Sequence, residues 1–158
     1  YAYNDWATET LHRAAESLSD AQLDQPFEMG EGTLHRTLQH LLFAEQWGLN
    51  NWTVGPDKPF PEGNERVSPA DNALAARQTA TERNKILAAM DDTQLERVVL
   101  ARPRPNVERR FPIGVTMLQL LHPGTHPRAQ ALNMLRRAGG TVPGLDLITW
   151  RRQTAGGG

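Results

Sequence analysis

The sequence predicts an all-α fold, a four-helix bundle with one long crossover loop and a small hairpin-like excursion. Three observations carry it. Apolar residues recur at steps of three and four over four long stretches. Strong helix-start signals stand before two of those stretches, at Thr33 and at Ser68-Pro69. Segments rich in proline and glycine separate the second stretch from its neighbours at 25–32 and 53–67.

In chain order, Asn4 or Asp5 can cap a first helix reaching about Leu18, with Trp6, Leu11, Ala14, Ala15 and Leu18 as its buried stripe. Ser19-Asp20 opens a short turn whose Leu23 is expected to tuck under the bundle. Thr33 caps a second helix with Leu34, Leu38, Leu41, Leu42, Glu45, Leu49 and Trp52 on one face. The crossing loop 53–67 is long enough between helices to be functional or to wrap a neighbour. Ser68 caps a third helix, with Pro69 in its first turn and an acid, Asp71, at the third position. That helix is expected to reach Met90 with Leu74, Ile86, Leu87 and Met90 inward and Arg77, Glu82, Arg83 and Lys85 mostly outward. The stretch DDTQL at 91–95 then echoes SDAQL at 19–23. Alternation over 96–112, around Arg102-Pro103-Arg104-Pro105-Asn106, fits a hairpin or an extended excursion. A fourth helix starts at Gly114 or Thr116 and is stopped by Gly139-Gly140, with Arg128, Arg136 and Arg137 on its polar side. Leu145, Leu147, Ile148 and Trp150 make a last apolar turn. One domain is expected over 1–152, followed by a loose tail at 153–158.

Composition excludes several chemistries. With no cysteine among 158 residues, disulfides, thiolate ligands and a cysteine nucleophile are ruled out. The formal net charge of −1 gives no electrostatic footprint for nucleic acid. No run approaches the roughly 18 apolar residues of a membrane span, and no signal pattern opens the chain, so no membrane partner and a cytoplasmic location are expected. Numbering starts at Tyr1 rather than Met, so a few residues are expected to precede it. Gly-rich phosphate loops, a Gly-x-Ser-x-Gly elbow and a His-Glu-x-x-His motif are all missing.

What remains is histidine. His40 lies beside the apolar face of the second helix, and His122 and His126 stand four apart in the fourth. Two histidines at that spacing share a helix face, and three imidazoles plus water form a recognised zinc arrangement that also suits nickel. Pro123 and Pro127 interrupt that stretch. His12 and His35 have no partner at a useful spacing and read as surface or half-buried. Glu45, on the buried stripe, can orient a histidine, act as a general base, or pair with an arginine such as Arg128. Trp47 and Met117 are candidate pocket walls.

Several segments together resemble the DinB-like (damage-inducible) family of four-helix bundles: YNDWATETL at 3–11, SDAQL at 19–23, FEMGEGTLHRTLQHLLFAEQWGLNNW at 27–52, HPGTHPRAQALNMLRRAG at 122–139 and GLDLITW at 144–150. The resemblance implies an up-up-down-down bundle, usually a homodimer, in which three histidines often hold a divalent metal such as zinc or nickel. Some such relatives transfer or isomerise adducts of low-molecular-weight thiols, so a metal-dependent hydrolase or thiol transferase is one expectation. The other is a metal-free, non-enzymatic, dimeric stress-response bundle that binds a small apolar molecule. By resemblance the first metal ligand falls on His40. Counting back without gaps from Arg128-Ala129-Gln130 places the other two at Pro123 and Pro127, which cannot bind metal, and leaves His122 and His126 one position early, about 100° around an ideal helix. Two arrangements stand at this point: a proline kink that rotates both histidines back toward His40, or a helix that breaks at Pro123-Gly124 and restarts near Thr125.

Overall fold

Thr33 and Ser68 cap helices where the sequence places them. The computed structural model describes residues 1–55, 60–61, 65–104, 106–121 and 124–155. The first helix, α1 (Ala2–Ala15), begins ahead of the expected cap, because the Asp5 carboxylate is engaged by Arg83 rather than by the backbone. α2 (Asp20–Leu23) and α5 (Asp92–Leu95) give the internal echo its physical meaning. Ser19 and Asp91 each accept the backbone N–H three residues on, and Gln22 and Gln94 each reach back to close a capping box. Thr33 caps α3 (Leu34–Thr53), and Ser68, with Pro69 behind it, caps α4 (Pro69–Ala88).

β1 (Val98–Arg104) and β2 (Val107–Pro112) form an antiparallel hairpin, turned at Asn106 in the left-handed region (φ 62°). α6 (Ile113–Leu121) leads out of it. The expected single fourth helix is in fact two, because α7 (Thr125–Arg137) restarts after Gly124 with Pro127 in its first turn, where a missing N–H loses no intrahelical bond. His122 and Pro123 lie outside the described residues. α7 ends on Gly139 at φ 85°, and the Gly140 N–H returns to the Leu135 carbonyl at 2.9 Å. α8 (Leu147–Ala155) extends the apolar turn through residues the sequence assigned to a loose tail, and Trp6 Nε1 donates to Gln153 Oε1 at 3.1 Å.

The chain is thus mostly helical with one small two-stranded sheet. α1 packs on α4 and α7, and α3 packs on α4, α6 and α7. No helix among the described residues is long and apolar enough to cross a membrane.

α3 runs between two apolar clusters. One holds Leu11, Ala15, Leu23, Leu34, Leu38, Met134 and Leu135, and the other holds Leu49, Trp52, Val99 and Ile113. Met117 packs against the second. Three expectations about faces fail. Leu74 is exposed, while Arg83 on α4 and Arg128 on α7 are buried. His12 and His35, read as surface or half-buried, are buried as well. His35 finds a partner, its Nε2 lying 2.9 Å from the Val67 carbonyl. His12 makes no hydrogen bond of ordinary geometry among the described residues, and burial pulls its pKa down to about 4 against the opposing effect of the Pro69 backbone.

Candidate functional site

Between the two apolar clusters the helices leave a cavity of about 240 Å³. α1 contributes Asn4 and Thr8, with Tyr1 at its start; α3 contributes His40, Leu41, Ala44, Glu45 and Trp47. Arg83 comes from α4, Gln119 and Leu120 from α6, and Gly124, Pro127 and Arg128 from the restart of α7. Phe60, from the crossing connection, also lines the cavity, with its ring 5.4 Å from that of His40 and 5.8 Å from that of Trp47. The loop expected to be functional therefore supplies part of the wall.

Each polar group here has a different state. Arg83, 1% exposed, donates to Asp5 Oδ2 at 2.7 Å, to Glu45 Oε1, and to Asn84 Oδ1 at 3.0 Å, and its guanidinium lies 4.4 Å from the Tyr1 ring centroid. Burial pulls the Arg83 pKa down, but the two carboxylates outweigh it and hold the group above its ordinary value. Burial pushes the Glu45 carboxyl above the usual range, Arg83 opposes this, and Asp5 adds to it. Glu45 is thereby tied to Arg83 rather than to Arg128, the partner the sequence suggested. Tyr1 donates its hydroxyl to the Met117 carbonyl at 3.0 Å, and burial raises its pKa to about 12, so it stays a neutral donor.

Arg128 is 5% exposed and differs from Arg83. It donates to the amide oxygen of Asn4 at 3.0 Å and lies 5.7 Å from the Tyr3 ring centroid. Among the described residues no carboxylate stands within ion-pair distance of it. Burial pulls its pKa below the ordinary arginine value, against the influence of Tyr3. Gly124 makes its position possible, because a Cβ there would lie 3.1 Å from one terminal nitrogen of the guanidinium.

Of the three expected metal ligands, His122 lies outside the described residues, and the structure places the other two differently. His40 lines the cavity, with Nδ1 3.4 Å from Glu31 Oε1. His126 is exposed on the first turn of α7, and its neighbour Pro127 takes the place on the wall. This is the gap-free register, in which the histidine stands about 100° away from the inward position. No group of three or more histidine, aspartate or glutamate side chains among the described residues is placed to hold a metal ion. Within the same limits the cavity offers one imidazole, two guanidinium groups and a carboxylate already committed to one of them. Among the described residues, with His122 outside them, that donor set does not fit a divalent cation.

Arg83, Arg128 and Phe60 were missed as site residues. Helical spacing carried a signal for two of them: Arg128 continues the buried stripe Ala131 and Leu135, and Arg83 continues Asn72 and Thr79. Polar identity masked both.

The fold matches a solved structure, the crystal structure of a DinB-like protein from Bacillus cereus ATCC 10987, with a TM-score of 0.72 and 22% identity over 90% of this chain and 91% of that one. No curated protein matches. The family model for the DinB family matches residues 1–155, and the chain belongs to that family.

Proposed function

We propose that the chain binds a small organic molecule in the cavity between α1, α3, α4 and α7, without a three-histidine metal centre. One observation carries this reading: opposite His40 the wall presents Pro127, while His126 faces solvent. The apolar surroundings of Leu41, Ala44, Trp47, Phe60 and Leu120 suit a ligand body. An up-up-down-down four-helix bundle and a homodimer belong to the same reading. The mutual packing of α1, α3, α4 and α7 supports the first. The exposed apolar side chains of Phe111, Val115 and Leu118 on the hairpin and α6 support the second.

The test is a thermal-shift comparison on protein purified without a histidine tag. A ring compound at about 100 times its Kd stabilises the protein by about 2.7 kcal/mol, and Trp47→Ala diminishes the effect. Zinc and nickel leave the melting temperature unchanged and are bound in substoichiometric amounts. Stabilisation by zinc or nickel that His40→Ala abolishes, with none from organic compounds, overturns the reading in favour of a metal-dependent hydrolase or thiol transferase.

A further inference from the structure

We infer that the ligand of this cavity is an organic carboxylate, its carboxyl group seated on Arg128 and its apolar body against Trp47, Phe60 and Leu120. The inference rests on the cavity being the ligand site and adds the chemical class of what it holds.

A guanidinium carries five N–H donors in a rigid fork. In Arg128 one terminal nitrogen is bonded to Asn4, whose amide oxygen brings no charge. The remaining donors have no partner among the described residues, although the side chain is 5% exposed and lines the cavity. A buried cation without an anion is costly, and an anionic ligand relieves that cost when it enters.

Two further features point the same way. α7 starts with no side chain capping its first turn, and that turn gives Gly124, Pro127 and Arg128 to the wall, so the positive end of the helix dipole adds to the guanidinium charge. Gly124 lets the backbone pack against the guanidinium, since a Cβ there would crowd it at 3.1 Å. The anionic side chains close by are already occupied, Glu45 with Arg83 and Glu31 with His40. A single fork in an apolar cavity of about 240 Å³ matches a planar carboxylate on a small ring better than a phosphate, which recruits several donors.

The experiment is calorimetric titration of the full chain with benzoate against benzamide, 1-naphthoate against 1-naphthamide, and inorganic phosphate. The acids are expected to bind about tenfold or more tightly than their amides, a difference of about 1.4 kcal/mol. Arg128→Gln removes that preference, the acids losing more affinity than the amides. Gly124→Ala, whose added Cβ crowds the guanidinium, weakens the acids more than the amides, and it serves where Arg128→Gln fails to fold. Equal binding of acid and amide, insensitive to both substitutions, overturns the carboxylate assignment and leaves the cavity reading intact. Binding of neither series by the unaltered protein overturns the cavity reading itself. Phosphate binding stronger than that of either acid, and lost in Arg128→Gln, overturns the carboxylate in favour of a phosphate ester.

Discussion

Two arginines are buried in the middle of this protein, and they are satisfied in different ways. Arg83 is inserted from α4 between Asp5 and Glu45, so its charge is neutralised within the fold. Arg128 enters from α7 and, among the described residues, meets an amide oxygen and a tyrosine face. Both line one cavity and both lie beside aromatic rings, so burial and cation–π contact do not separate them. The carboxylates do. A buried charge with its counter-charges on neighbouring helices binds those helices together. A buried charge without one is a fixed potential available to a ligand.

The largest effect that separates the two is the loss of Arg83. Arg83→Met strands Asp5 and Glu45 and is expected to cost about 3–5 kcal/mol in urea unfolding. On thermal melting, a loss of that size lowers the midpoint by roughly 6–20 °C for a chain of this length.

A third buried base gives the next effect. His12 solves the problem of burial by staying neutral, and its folded pKa of about 4 lies below the ordinary value of 6.5. The unfolded chain therefore binds the proton more readily between those values. The contribution is complete above pH 6.5 and is lost as pH falls toward 4, by up to about 3 kcal/mol at 1.36 kcal/mol per unit. His12→Leu flattens the slope of unfolding free energy against pH in that window; an unchanged slope assigns the acid sensitivity elsewhere.

Glu45→Gln is smaller, because Arg83 keeps Asp5 and burial already disfavours the Glu45 charge. A loss of about 1 kcal/mol is expected from unfolding curves, the size of one hydrogen bond. Smallest of all, Arg128→Met changes the unfolding free energy of the ligand-free protein by less than about 1 kcal/mol, since the lost Asn4 bond is offset by relief of an unpaired buried charge.

Much of the frame was legible in the sequence. The caps at Thr33 and Ser68 are local side-chain-to-backbone chemistry, and local chemistry is written in adjacent residues. The proline spacing correctly raised a break near Gly124, and His40, Glu45 and Trp47 do line the cavity. The partner of Glu45 was not legible. Arg83 and Glu45 are 38 residues apart, and only the packing of α3 on α4 brings them together. Arg83 and Arg128 were assigned to solvent because charge usually is, although both fall on stripes that their helices bury. The face of His126 depended on whether α7 restarts or kinks, a matter of backbone path over three residues that residue type alone does not decide.

The most direct measurement is urea unfolding of Arg83→Met and Arg128→Met side by side, each with and without 1-naphthoate. The account predicts a large loss for the first, little change for the second, and ligand stabilisation that disappears only in Arg128→Met when both are compared at temperatures where they are folded. A loss in ligand-free Arg128→Met as large as that in Arg83→Met, with naphthoate still stabilising it, would show that Arg128 is a structural ion like its neighbour and would contradict the account.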